Sequence, residues 1–248
     1  MQVSISSGTA PGIVTFPEGL AVGVSGGRTM RTTDVTGLRE LLRERVPNAR
    51  IGVFGRRRTA PVPTGTPALD AVLGGGLVGG DLTELVGEGL GSGTAQVLHG
   101  LLRRVAADGR FLTLIDGADS FDTDAEDGDV LGRLLWVRCR SAEEAMEAAD
   151  LVLRDRNLPV VVIDLKLNPV AQLRRISASV WHRFSRLAEQ NGSAILVITP
   201  FAMVGGAAAR VSVEAGLGPS DHAVGPGAIL GRLRFELLRQ ETMAASAS

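Results

Sequence analysis

The sequence predicts an α/β fold, a mostly parallel sheet flanked by helices, preceded by an N-terminal helical arm. Two observations carry this reading. From residue 64 onward, apolar segments of strand type alternate with segments of helical period. Two of the strand segments, 159–163 and 194–198, carry no polar side chain at all. A strand without a polar face is buried on both sides, which places it at the centre of a parallel sheet with helices above and below.

Taken in order, residues 1–33 are rich in Gly, Ser and Thr without a clear period and read as a flexible arm or a short strand. Residues 34–63 read as an N-terminal helix followed by a linker. Val35, Leu38, Leu41, Leu42 and Val46 recur at helical spacing with Arg and Glu between them, and Pro47 ends the run. The linker carries Gly55, then Arg56, Arg57 and Arg58, then Pro61 and Pro63. The core is expected over 64–240. It opens with a short helix, 67–73, with Thr66 as N-cap and Pro67 at its first position, broken by Gly74, Gly75 and Gly76. A strand at 81–86, a Gly-rich turn and a helix at 95–107 follow. Strands are then expected at 111–115 and 134–137, and a helix at 142–154 capped by Ser141. After the strand 159–163 comes one long helix, 170–190. The strand 194–198 precedes two edge-type strands, 210–215 and 230–238. Residues 241–248 read as a disordered tail.

Composition narrows the function. The chain has 248 residues, 44% hydrophobic and 21% charged, enough for one ordinary α/β core. No apolar run reaches the roughly 18 residues that a membrane helix needs. The first ten residues lack the basic and apolar regions of a secretory signal, and the single cysteine, Cys139, has no internal partner. These features point to the cytoplasm. A net charge of -1 argues against a strong nonspecific DNA binder, and the absence of Tyr with 4% aromatic residues disfavours a base-stacking platform. Lys166 is the only lysine.

The turn Gly87-Glu88-Gly89-Leu90-Gly91-Ser92-Gly93-Thr94 lies between a strand and a helix, where a phosphate loop belongs. The working pattern is G-x-x-x-x-G-K-[ST]. Counted from Gly87, the glycine position holds Ser92, the lysine position holds Gly93, and Thr94 closes the pattern. That lysine places a point charge on the β- and γ-phosphates. No lysine stands nearby in sequence, and Glu88 adds a negative charge that opposes phosphate. The expectation is a loop that binds no nucleotide cofactor and a chain that is no enzyme.

The order of segments resembles the RecA-type core. Pro63 to Asp70 (PTGTPALD), the triple glycine 74–76 and the strand into Gly87 are similar to its entry. Residues 112–122 resemble the next strand and its turn, with Ala118 where active relatives carry a catalytic glutamate. Val160-Val161-Val162-Ile163-Asp164 resembles the Walker B strand, and Asp164 matches the aspartate that holds magnesium through water. Residues 194–199 resemble the strand that ends in a glutamine sensor, here Thr199. Within this superfamily the N-terminal helix, Arg-rich linker, PTG-x-PALD entry and degenerate loop are similar to the ImuA family. That resemblance implies an accessory role in the SOS response and translesion synthesis. The implied partners are an inactive Y-family polymerase homologue, an error-prone replicative-type polymerase and the RecA recombinase. The stripe Leu38, Leu41, Leu42 and Val46 is the candidate partner interface, toward a recombinase or a second copy in a homo-oligomer. The core also resembles SulA, an inhibitor of the tubulin-like division protein, and an active RecA-like ATPase is the other alternative.

The remaining clusters point elsewhere. His99, His182 and His222 lie far apart without metal-ligand spacing, so no metal is expected. The run 119–129 holds Asp119, Asp122, Asp124, Glu126, Asp127 and Asp129, but lacks the Gly and Glu of a calcium loop and reads as a solvated, partly mobile loop. Candidate DNA-phosphate contacts are Arg56, Arg57, Arg58, Arg174 and Arg175, with Arg232 and Arg234 on one strand face. Without stacking aromatics beside them, direct DNA binding is expected to be weak or absent.

Overall fold

The computed structural model describes residues 59–155, 157–215 and 230–240, together with the backbone of three short strands at 4–5, 12–15 and 21–24. The expected helix 34–46 with Leu38, Leu41, Leu42 and Val46, the arginines 56–58 and the tail 241–248 lie outside the described residues.

A ten-stranded sheet forms the centre, in the order β1-β2-β3-β8-β7-β9-β10-β6-β11-β12. Its parallel heart comprises β6 (Leu82–Val86), β7 (Leu112–Asp116), β8 (Leu134–Arg138), β9 (Val160–Asp164), β10 (Ala194–Thr199) and β11 (Ala209–Ala215). β12 (Leu233–Gln240) closes one end antiparallel to β11. β1 (Ser4–Ile5), β2 (Gly12–Thr15) and β3 (Ala21–Val24) extend the other end as an antiparallel meander on β8. The arm at 1–33 therefore contributes strands to the sheet. A second, two-stranded sheet joins β4 (Thr59–Val62) to β5 (Leu77–Gly79), so the Pro-containing end of the expected linker is paired backbone.

The central strands have the expected two-faced burial. In β9, Val161 and Ile163 enter one apolar cluster while Val160 and Val162 enter the other. The first cluster is closed by α4 (Ala142–Leu153), α5 (Val170–Leu173) and α6 (Ala178–Asn191), which contribute Met146, Leu173, Trp181 and Phe184. The second is closed by α1 (Pro67–Leu73), α2 (Thr94–Ala107) and α3 (Gly128–Leu131), with Leu69, Leu98, Leu101 and Leu131.

Three expectations are corrected. The long helix 170–190 is two helices, because Ser177 is extended (φ -68°, ψ 141°) and its hydroxyl caps α6 by accepting from Ser179 N. Arg174 and Arg175 therefore follow the short α5 rather than opening a long helix. The segment 210–215 is interior, held between β6 and β12; its outward polar residues, which read as an edge, include Arg210, consumed by a buried partner described below. Thr66 makes no side-chain cap on α1. Instead Thr64 N and Oγ1 both donate to Asp70 Oδ1 at 2.8 Å, which folds the PTGTPALD entry onto itself. Gly65 (φ 76°) lets this turn touch α2, since a Cβ there would lie 2.4 Å from the Gly100 carbonyl oxygen.

Candidate functional site

The carboxyl ends of β6, β7, β9 and β10 bring Gly87, Asp116, Asp164 and Thr199 to one rim of the sheet, where ligands bind in open α/β folds. Gly87 N donates to the Thr199 carbonyl at 3.0 Å. Residues 88–91 then loop into solvent, and Ser92, Gly93 and Thr94 return to buried positions at the start of α2.

Two features mark this loop. The first is Lys166. Two residues beyond Asp164, it extends its ammonium into the loop and donates to the carbonyl oxygens of Gly87 and, at 2.7 Å, Gly89. No lysine stands near the loop in sequence, and the one lysine in the chain reaches it from the end of a different strand. An anion cradle presents backbone N–H groups; here the carbonyls of Gly87 and Gly89 face a cation. The second feature is at Gly93, where φ is 95°. A Cβ on Gly93 would sit 2.4 Å from Leu233 Cδ2 and 3.5 Å from Ala215 Cβ, so a side chain at the lysine position of the motif would have to displace the Leu233 methyl.

The acidic residues of the rim are held by hydrogen bonds from neighbouring backbone and side chains. Asp164 Oδ1 accepts from Lys166 N at 2.9 Å, turning the chain out of β9. Burial pushes its carboxyl up to about 7; the bond from Lys166 N and the Lys166 charge oppose this, and Asp116 adds to it. Burial also lowers Lys166, against the pull of Asp164 and Glu88. Asp116 gathers the turn after β7, accepting from Ser120 N and Phe121 N at 2.8 Å and from Trp136 Nε1 at 3.2 Å. Ala118 lies within that turn. Asp119, held at φ 52°, pairs with Arg138 (Nη2–Oδ2 2.7 Å), whose guanidinium lies 4.6 Å from the Trp136 ring centre.

The acidic run is solvated as expected at Asp119, Asp122, Asp124, Asp127 and Asp129, and Glu126 alone turns inward. The Glu126 side chain is 1% exposed and accepts from Arg103 Nε at 2.8 Å, with His99 Nδ1 at 2.7 Å. Phe121 stacks on His99 and meets Trp136 edge-on. Glu84 was missed in the sequence. Fully buried within β6, it accepts from Thr199 Oγ1 (3.1 Å), Met203 N (2.7 Å), Val204 N (3.1 Å) and Arg210 Nε. Its signal was a lone carboxylate in an otherwise strand-like apolar segment. Of the expected basic contacts, Arg174, Arg175, Arg232 and Arg234 are exposed. Among the described residues no cluster of three or more His, Cys, Asp or Glu is arranged for a metal, and no helix is long and apolar enough to cross a membrane.

No family model matches the chain. Over 118 residues it is similar to the proteins named RecA of Mycolicibacterium vanbaalenii (35% identical, 46% of this chain and 33% of that protein), Rhodococcus jostii (34%, 46% and 34%) and Mycobacterium tuberculosis (35%, 46% and 15%). The match thus spans under half of this chain and about a third or less of each relative. With the helix-flanked, mostly parallel sheet, this similarity makes the core of the chain a RecA-like α/β fold.

Proposed function

We propose that this chain is a noncatalytic RecA-like accessory protein of damage-induced translesion synthesis, acting in the cytoplasm through protein contacts. Its partners on this reading are an inactive Y-family polymerase homologue, an error-prone replicative-type polymerase and the RecA recombinase. The observation that carries the noncatalytic part is the ammonium of Lys166 on the Gly87 and Gly89 carbonyls, inside the loop that would receive phosphate. Leu233 against Gly93 supports it. The resemblance of residues 60–240 to the ImuA family supports the cellular role.

Calorimetry of the full chain with ATP and magnesium tests the first part. The expected result is no binding tighter than about millimolar, near -4 kcal/mol. Micromolar binding, or magnesium-dependent turnover abolished by Asp164→Ala, would replace this reading with that of an active ATPase. Deletion of the gene tests the second part. It should lower damage-induced mutation as much as deletion of the polymerase homologue, with no further loss in the double deletion.

A further inference from the structure

Among the described residues, Leu90, Leu167 and Val170 are exposed large hydrophobic side chains at the same end of the sheet, at 90%, 52% and 44% exposure. They belong to two loops that Lys166 ties together. Leu90 follows Gly89, whose carbonyl the ammonium holds, and Leu167 follows Lys166 itself. The second loop is anchored at both ends. Leu165 and Leu173 on either side are buried in the core. Asn168 Nδ2 donates to the Gly117 carbonyl at 2.6 Å, and Gln172 Oε1 accepts from Ala142 N at 3.0 Å. Leu167 and Val170 are thus held outward by a well-anchored backbone, the arrangement that favours binding because little freedom remains to be lost. Val170 and Arg174 lie one turn apart, so they share a face of the α5 segment. Arg174 and Arg175 are both exposed and make no ion pair among the described residues.

We propose that Leu90, Leu167 and Val170, bordered by Arg174 and Arg175, form a docking surface for a short acidic peptide segment of a partner protein, one carrying apolar side chains between carboxylates. This deepens, and rests on, the reading of the chain as a protein-binding accessory. Charge selects the occupant. Two arginines without internal carboxylate partners border the apolar side chains and match acidic residues flanking an apolar anchor. Glu88 is the one exposed acid on the loop beside Leu90, and Lys166 lies against it. A nucleic-acid strand fits poorly, because the protruding groups are aliphatic and offer no ring for a base to stack on.

The test uses random dodecapeptides displayed on phage and selected on the full chain. Enriched peptides are then synthesised and titrated by fluorescence anisotropy. The expected peptides carry Leu, Ile or Phe flanked by Asp or Glu. Their affinity falls at least tenfold for Leu90→Ser/Leu167→Ser and for Arg174→Glu/Arg175→Glu, while both variants keep the wild-type melting temperature. No enrichment, basic peptides, or binding that survives both variants would overturn the proposal. So would single-stranded DNA binding lost in Arg174→Glu/Arg175→Glu, or self-association lost in Leu90→Ser/Leu167→Ser, each of which assigns the surface to another occupant. Calorimetry with ATP and magnesium on the same samples keeps the two readings apart, because nucleotide binding counts against the noncatalytic reading and leaves the peptide result standing.

Discussion

Lys166 reaches the loop from the end of β9, 79 residues away from Gly87, and donates to the Gly87 and Gly89 carbonyls. Lys166→Met keeps the apolar stem and removes the ammonium. The partly buried Gly87 carbonyl then loses its partner, an effect worth about 1–3 kcal/mol. Urea unfolding should show that loss, and an unchanged midpoint would mean that the contact contributes nothing. Restoring a lysine at Gly93 should not restore chemistry. The backbone there is left-handed at φ 95°, and the new Cβ would meet Leu233. Gly93→Lys should cost about 1–2 kcal/mol from the left-handed strain alone and give no ATP turnover in a phosphate-release assay. Asp164 makes a prediction about pH. Its carboxyl titrates near 7 in the folded chain, above its value of about 4 when unfolded, because burial disfavours the charge. The folded state therefore holds the extra proton between these values. The stability from the protonated form is fully present below about pH 4 and is lost as pH rises through 7. Asp164→Asn removes this titration, so its melting temperature relative to wild type should rise between pH 4 and pH 8. A constant difference would contradict the buried proton.

Among the elements, β6, β10 and β11 meet at Glu84, a carboxylate without solvent exposure and with four donors around it. Arg210 supplies the only countercharge that contacts it among the described residues. Arg210→Ala leaves a buried charge without its cation and should destabilise by about 3–5 kcal/mol. Glu84→Gln combined with Arg210→Met should recover most of that loss in urea unfolding, because both charges leave together. Equal destabilisation in single and double variants would show that the neutral hydrogen bonds dominate. Glu84 also marks the limit of what the sequence makes legible. Strand and helix periods placed β6, β7, β9, β10, α2 and α4 within a residue or two, and the Ser141 cap, whose hydroxyl accepts from Glu144 N, was visible from residue type alone. Those signals are local. Whether Arg210 faces solvent or a buried carboxylate 126 residues away depends on strand order, which no local period contains. The same holds for Lys166, whose partners are remote in sequence, and for the split between α5 and α6, where an apolar helical period continues across the break at Ser177. In the loop, the empty lysine position at Gly93 was readable, but the side chain of Leu233 that closes it was not.

At the scale of the whole molecule, six of the described arginines are held by carboxylates. Arg103 is held by Glu126, Arg104 by Asp108, Arg138 by Asp119, Arg154 and Arg183 by Asp150, and Arg210 by Glu84. With a net charge of -1, these pairings reduce the positive charge available to a nucleic acid backbone. Phe121, Trp136, Trp181 and Phe184 pack against other rings rather than offering free faces to bases. The acidic run 119–129, anchored on α2 through Glu126, adds carboxylates to the same molecule and repels phosphate from its side. Among the described residues, the exposed arginines outside these pairs include Arg110, Arg140, Arg174, Arg175, Arg186 and Arg234, and each phosphate contact contributes about -0.7 to the logarithmic salt slope on a single strand. Binding of single-stranded DNA should therefore be no tighter than roughly micromolar at physiological salt, with a slope between about -1 and -3. Fluorescence anisotropy with a labelled oligonucleotide at two salt concentrations measures both quantities. Nanomolar binding, or a slope steeper than about -5, would require an extended electropositive surface and would shift the role of this protein from partner contact to direct contact with the strand.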